Sequence, residues 1–212
     1  RGENPVPQLQ KSLELLEPAV KQYPHFLWGI NDLSNVYVTI GNYLQQRGQK
    51  GVKEHFDKAL TYAKMAIALD SGYLIAIQNT MFIYARMFGE LDSAQSIQRI
   101  VEDSDKAFAQ CLEKNPQFQQ CHINYVSDYA RSAERLLLAG QDVQAKVQRG
   151  KETLATARKL GGAFLDLEQY ASLLLLVGIL VKQRQDSRRT PRLPLCRQDR
   201  KPPRLRTDQL QH

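Results

Sequence analysis

The sequence predicts an all-α fold made of repeated pairs of helices. An aromatic residue follows a turn-like segment at four places, and the intervals between these aromatics are 47, 45 and 46 residues. Between the turns, apolar residues recur at the helical spacing i, i+3, i+4 and i+7. Runs that alternate as strands do are short and isolated. A fixed period with helical patterning is typical of helical repeat arrays. The aromatics are Phe26, Tyr73, Phe118 and Phe164.

Two kinds of turn separate the helices. The first reads YPHF at 23–26 and NPQF at 115–118, where proline stops one helix or opens the next because it fixes φ and lacks an N–H. The second contains glycine, as in RGQ at 47–49 and AGQ at 139–141. Glycine suits a helix C-terminal cap because it tolerates positive φ. We name the helix that enters the first kind of turn helix B and the helix that leaves it helix A.

The first four helices follow from these turns. The first is predicted at 7–22 and ends before the YPHF turn, although Pro18 is expected to kink or split it. A helix A at 25–46 ends ahead of the first glycine turn. The third helix, at 53–70, contains HFDKALTYAKMAIAL, whose apolar residues fall on one face. The fourth, at 73–89, leaves the SGY turn.

The last four helices repeat this pattern and are predicted at 95–114, 117–139, 143–160 and 163–184. The segment 90–101 is left open between a loop and an extension of the fifth helix. The eighth helix contains the apolar run ASLLLLVGILV. Eleven residues are too few to span a bilayer as a helix, so we predict a buried helix.

Charge divides the chain into two predicted regions. The formal net charge is +7, but 187–212 holds eight Lys or Arg against two Asp, which leaves 21 basic and 20 acidic residues in 1–186. We predict a helical repeat domain at 1–186, and its nearly neutral body argues against nucleic-acid binding. The segment 187–212 is rich in Pro and Arg and lacks apolar periodicity, so a disordered basic tail is predicted.

No residue pattern indicates catalysis or a metal site. The cysteines at 111, 121 and 196 are odd in number and lack framework spacing, so we expect no structural disulfide. Cys111 and Cys121 are expected to be small buried hydrophobic residues. The four histidines stand outside nucleophile motifs and metal-ligand spacings. We therefore expect no catalytic residue, no metal and no cofactor.

The repeated positions together resemble the tetratricopeptide repeat family. In that family an alanine and a proline mark helix B, and a tyrosine marks helix A. The resemblance covers residue 1 to about residue 184 and implies a right-handed superhelix of helix pairs. The tyrosine position reads Tyr37, Tyr84, Tyr129 and Leu175, the alanine position Ala19, Ala66, Cys111 and Ala157, and the proline position Pro24, Ser71, Pro116 and Gly162.

The repeat length departs from that family. The period is close to 46 residues, whereas the family period is about 34, and the extra residues fall around 41–53 and 137–148. Such long repeats resemble the arrays that follow the catalytic domain of some bacterial serine/threonine protein kinases. The chain itself has no glycine-rich phosphate loop, H-R-D or D-F-G motif. The resemblance therefore implies a regulatory or scaffolding arm of a signalling protein rather than a kinase.

The resemblance also implies a peptide-binding groove on the helix A face. Amide side chains can donate to and accept from an extended peptide backbone. Arg86 and Arg131 each follow a repeated tyrosine by two residues and can bind carboxylates. The repeated tyrosines themselves are predicted to be core residues. The predicted groove residues are Asn31, Asn35, Gln78, Asn79, Arg86, Asn124 and Arg131.

Two functions stay open at this point. The first is a non-catalytic module that binds a protein or peptide segment in the groove. The second is a spacer or oligomerisation scaffold that self-associates through the apolar part of the eighth helix, near 173–181. Both are predicted to act in the cytoplasm, without a membrane span and without nucleic acid on the repeat body.

Overall fold

The computed structural model describes residues 4–161 and 165–189. Over these residues the chain is all-α, as predicted, and contains no strand. A short 3₁₀ turn at Phe88–Glu90 follows the fourth helix. The helices are α1 (Val6–Gln22), α2 (Leu27–Gln46), α3 (Val52–Leu69), α4 (Leu74–Met87), α5 (Ala94–Lys114), α6 (Gln119–Leu138), α7 (Gln144–Lys159) and α8 (Leu165–Arg189).

The helix ends follow the predicted turns closely, with two exceptions. α1 passes through Pro18 as one helix, so of the two expected effects, a kink or a split, the split does not occur. Pro18 is exposed and close to the C-terminal end, where the loss of one backbone hydrogen bond leaves the earlier turns intact. The segment left open at 90–101 is helical only from Ala94 onward, after the 3₁₀ turn ends at Glu90. Ser93 caps α5, because its side chain accepts a hydrogen bond from the Ser96 N–H.

The helices form a row of contacting pairs. Each helix packs against the next one along the chain, and α2, α4, α6 and α8 also contact one another in succession. These four are the helices A of the sequence pattern, and α1, α3, α5 and α7 are the helices B. The helix A row therefore offers a continuous face to which successive repeats contribute equivalent residues.

The core consists of residues at equivalent positions in successive repeats. Tyr37, Tyr84 and Tyr129 are 3%, 2% and 3% exposed, which confirms their predicted core role. The alanine position is also fully buried in the later repeats, as the small side chain allows close helix packing. Phe56 of α3 lies against Gly41 of α2, where a Cβ would come within 2.7 Å of the phenyl ring.

The glycine turns that end α2 and α6 have the same conformation. Gly48 has φ 61° and Gly140 has φ 83°, as the predicted C-terminal caps require. The N–H of Gln49 donates to the carbonyl oxygen of Leu44 at 3.0 Å, and that of Gln141 to the carbonyl oxygen of Leu136 at 2.9 Å. Each glycine N–H also donates to the third residue before it. The recurring glycine turn is therefore a Schellman motif that ends α2 and α6 alike.

The expectation that no structural disulfide forms is wrong. Cys111 of α5 and Cys121 of α6 are disulfide-bonded, with a Cα–Cα distance of 6.6 Å. Both are fully buried, as expected. The turn at 115–118 folds α6 back against α5, and this brings together two cysteines that are ten residues apart. Counting cysteines and their spacings could not show this, because the pairing depends on how the two helices pack.

The C-terminal part of the chain is described only in part. α8 continues to Arg189, three residues into the predicted tail, and the remaining predicted tail at 190–212 lies outside the described residues. Among the helices that the structure describes, none has both the length and the apolar content needed to cross a bilayer.

Candidate peptide-binding groove

A shared amide contact joins α2 to α4 along the helix A row. Asn79 Nδ2 donates to Asn31 Oδ1 at 3.1 Å and to Asn35 Oδ1 at 3.0 Å. Asn31 is only 5% exposed, whereas Asn35 and Asn79 are half-buried. The structure thus brings three of the predicted groove residues together and uses their amides to link the first two repeats.

A second amide contact joins α4 to α6. Asn124 Nδ2 donates to the main-chain oxygen of Gln78 at 2.8 Å, and Gln120 Nε2 donates to Asn124 Oδ1 at 3.0 Å. Asn124 is 6% exposed and Gln78 is half-buried. Asn124 therefore supports the packing of successive helices A, and the amide oxygen of half-buried Gln78 is itself buried.

The two predicted arginines occupy equivalent places on neighbouring helices. Arg86 of α4 and Arg131 of α6 are both half-buried. The Arg86 guanidinium carbon lies 4.8 Å from the centroid of the Phe82 ring, one turn earlier on α4. This cation–π contact restrains the side chain along the helix surface. Arg86 and Arg131 thus stand at equivalent positions on two helices that contact each other.

An exposed aromatic side chain stands at the start of the row. Trp28, in the first turn of α2, is 67% exposed, and its ring centroid lies 6.5 Å from that of Tyr73. Ile75 holds the equivalent place on α4 and is 40% exposed. An apolar edge therefore accompanies the amides and arginines, which suits a partner that brings both apolar and polar side chains.

We expect Asn79→Ala to lower the free energy of unfolding by about 1–3 kcal/mol, because it leaves the amide oxygen of buried Asn31 without its donor. Thr39→Ala is the control, since Thr39 is exposed and its hydroxyl donates only within α2. Urea denaturation followed by circular dichroism measures both. An Asn79→Ala variant as stable as Thr39→Ala would show that the amide contact contributes nothing to packing.

Sequence reasoning missed a polar cluster in the third repeat. The Ser104 hydroxyl donates to Asp128 Oδ2, the Tyr125 hydroxyl donates to Asp105 Oδ1, and the Tyr125 and Tyr129 hydroxyl oxygens lie 2.9 Å apart. Asp128 is 3% exposed, and within the described residues no donor reaches its Oδ1.

Comparing equivalent positions of the repeats could have revealed this cluster from the sequence. Asp128 occupies the position that Val36 and Ile83 hold in the first two repeats, and Ser104 stands where fully buried Ala59 stands in the second. A buried carboxylate at an apolar position costs stability unless it is compensated. Such substitutions mark the third repeat as different in chemistry from the others.

Burial also changes proton affinity in this cluster. Burial raises the pKa of Asp128 well above its usual range, while the Ser104 hydrogen bond and the charges of Arg131 and Lys146 oppose that shift. Burial lowers the pKa of Lys146. Both shifts favour the uncharged form, as desolvation requires.

We expect Asp128→Asn to become more stable than the natural protein as pH rises from 4 to 8. A raised folded-state pKa means that the stabilising contribution is complete below the unfolded pKa, near 4, and is lost as pH rises through the folded pKa. Between the two pKa values the difference in unfolding free energy should grow by about 1.4 kcal/mol per pH unit. Urea denaturation at several pH values measures it. A difference that is constant over this range would contradict the buried-carboxyl account.

Neither a group of metal-binding side chains in the described residues nor a matching protein family indicates a function. In the part of the chain that the structure describes, no three His, Cys, Asp or Glu side chains are grouped so that they can hold a metal ion. Comparison with models of known protein families and with curated proteins found no match to this chain.

Proposed function

We propose that the chain is a non-catalytic protein-interaction module that binds an extended segment of a partner protein along its helix A row. The observation that carries the proposal is the equivalent placement of Arg86 and Arg131 on contacting helices, beside half-buried Asn35, Gln78 and Asn79. Packed helices lie about 8–10 Å apart, and an extended chain covers that distance in about three residues. The preferred partner segment therefore carries two carboxylates about three residues apart.

The proposed architecture is a right-handed superhelix of tetratricopeptide-like pairs with an elongated repeat. It is supported by the helix A row and by the Schellman turns that recur after α2 and α6. We further propose that the array is the regulatory or scaffolding arm of a larger bacterial signalling protein, such as a serine/threonine kinase. That proposal rests on the long-repeat resemblance alone.

Charge reversal at the two arginines tests the groove. Peptides selected from a random display library on the natural protein are measured against Arg86→Glu, Arg131→Glu and the control Lys159→Glu, which alters an exposed lysine at the end of α7. We expect about tenfold weaker binding for each arginine variant, equivalent to about 1.4 kcal/mol, and no change for the control. Equal affinity for all four proteins would reject the groove.

Self-association through α8 is a second candidate, because one face of this helix is exposed where the same face is buried in earlier repeats. Leu175 is 58% exposed, although the equivalent tyrosines are covered, and Leu176 is 53% exposed against 0% for Ala130. On α2, the equivalent face is covered by α3, which stacks Tyr62 on Tyr37. No described helix covers it on α8.

A second copy of α8 fits this face. The exposed residues Leu175, Leu176, Ile179 and Leu180 form one uncharged stripe, and a two-fold axis would pair the stripe with itself. The inward side of α8 is already occupied, since Leu174 and Val177 are each 1% exposed. We propose a dimer in which the two stripes pack together.

Light scattering tests the dimer. We expect the natural protein to dimerise at tens of micromolar and Leu176→Glu to stay monomeric, because the stripe would then bury a charge. Leu138→Glu is the matched control, since Leu138 is 75% exposed at the end of α6. A monomeric natural protein, or a Leu176→Glu protein that still dimerises, would reject this candidate.

Cytoplasmic location is also a proposal, and the cysteine pair bears on it. Disulfides persist mainly in oxidising compartments, whereas cytosolic thiols are kept reduced. The redox state of Cys111 and Cys121 in rapidly acid-quenched cells therefore tests the location. Reduced thiols are expected in the cytoplasm, and a fully formed disulfide would favour an oxidising compartment.

A further inference from the structure

A cleft opens between α5 and α7, with α6 as its floor, away from the predicted groove residues. Its volume is about 330 Å³, and it lies beside the polar cluster of the third repeat. Aromatic, acidic and basic side chains share its walls. The lining includes Asp105, Phe108, Tyr125, Tyr129, Arg149 and Glu152.

The contact between α2 and α3 shows what fills the equivalent space earlier in the chain. Tyr62 of α3 stacks on Tyr37 of α2 with ring centroids 5.8 Å apart and planes within 10°. Counted from the alanine position, Thr153 of α7 is the equivalent of Tyr62, and it lines the cleft. α7 therefore lacks a flat side chain at the place where α3 stacks Tyr62 on Tyr37.

The cleft has an aromatic wall with carboxylates beside it, in which Phe108 is half-buried whereas Tyr125 and Tyr129 are 5% and 3% exposed. Phe108 and Tyr125 are stacked, with centroids 3.8 Å apart, and Tyr125 is tilted against Tyr129. Asp105 and Glu152 stand on the two helices that flank these rings. Aromatic faces attract cations, and carboxylates bind guanidinium groups through paired hydrogen bonds.

Two positively charged side chains of the protein limit where a cationic ligand can bind in the cleft. Lys146 Nζ lies 5.0 Å from the centroid of Tyr129, so it already occupies a face of that ring. Arg149 is exposed at the edge of the cleft, where water screens its charge. The space left for a ligand is therefore bounded by Phe108, Tyr125 and the two carboxylates.

We propose that this cleft binds the guanidinium group of an arginine side chain on a partner protein. A guanidinium is flat, so it can replace the missing ring, and its fork of N–H donors matches Asp105 or Glu152. An ammonium ion lacks that flat shape, and a neutral ring offers no positive charge to the carboxylates. The site contains none of the predicted groove residues and does not depend on them.

The test uses three short peptides, acetyl-Gly-X-Gly-amide, in which X is arginine, citrulline or lysine. Each is titrated into the ¹⁵N-labelled protein, and the affinity and the shifted amides are recorded. We expect saturable binding of the arginine peptide, with shifts centred on α5 and α7. Citrulline has nearly the same shape without the charge, so we expect it to bind about tenfold more weakly.

Two protein variants test separately how a carboxylate and a competing positive charge affect arginine binding. Glu152→Gln keeps an acceptor for Gln148, which donates to Glu152 Oε1 at 3.0 Å, and it should weaken arginine binding about fivefold without unfolding the chain. Arg149→Gln removes the competing charge and should strengthen binding about twofold. Equal binding of arginine and citrulline, an unchanged Glu152→Gln affinity, or shifts confined to α2 and α4 would overturn the proposal.

Discussion

Phe56→Ala is expected to lower the free energy of unfolding by about 3–5 kcal/mol, the largest loss for any single substitution considered. Phe56 is fully buried between α3 and α2 and packs directly against Gly41, so neighbouring atoms cannot easily fill the vacated space. Urea denaturation followed by circular dichroism measures the loss. Tyr23→Ala is the control, because Tyr23 is 60% exposed and should cost well under half as much.

A complementary variant tests the same contact from the other helix. Gly41→Ala places a Cβ within 2.7 Å of the Phe56 ring and should also destabilise the protein. In the double variant Gly41→Ala with Phe56→Ala, the added methyl group occupies space that the phenyl ring has left. The double variant should therefore lose less unfolding free energy than the sum of the two single losses. Strictly additive losses would show that the two residues do not pack as described.

Loss of the Cys111–Cys121 disulfide is expected to lower the free energy of unfolding by about 3 kcal/mol. The bond closes a loop of ten residues, and loop-closure entropy gives that magnitude. The double variant Cys111→Ala with Cys121→Ala isolates the bond, because fully buried Ala66 and Ala76 hold the equivalent positions in the preceding repeat. Its stability should not change when dithiothreitol is added.

The same effect should be measurable in the natural protein when the disulfide is reduced. Its unfolding midpoint in urea should fall on reduction to nearly the value of the double alanine variant. Cys196→Ser removes the remaining thiol and excludes disulfide exchange as a cause. A natural protein that is equally stable with and without reductant would show that the bond does not hold α5 to α6.

The sequence allowed the helices to be predicted because each boundary has a local cause. The prolines at 24 and 116 and the glycines at 48 and 140 restrict the backbone at the turns themselves, so periodicity and punctuation agree. The buried tyrosines followed for the same reason, since their interval of 47 and 45 residues repeats the turn interval. Local rules are least informative where two distant segments meet.

The contacts between repeats show this limit. The Asn79 contact to α2 spans 44 and 48 residues, and the Asn124 contact to α4 spans 46. Sequence spacing put these amides on one face but could not show that they bond to one another. The disulfide and the Asp128 cluster were missed for a related reason, because each depends on which helix packs against which.

A residue-resolved map of peptide binding tests the interaction-module proposal most directly. A peptide selected on the natural protein is titrated into the ¹⁵N-labelled chain, and amide and side-chain shifts are followed. The account predicts that the shifts centre on Asn35, Gln78, Asn79, Arg86 and Arg131, along α2, α4 and α6. Shifts confined to the exposed stripe of α8, or the absence of any peptide that binds saturably, would contradict it.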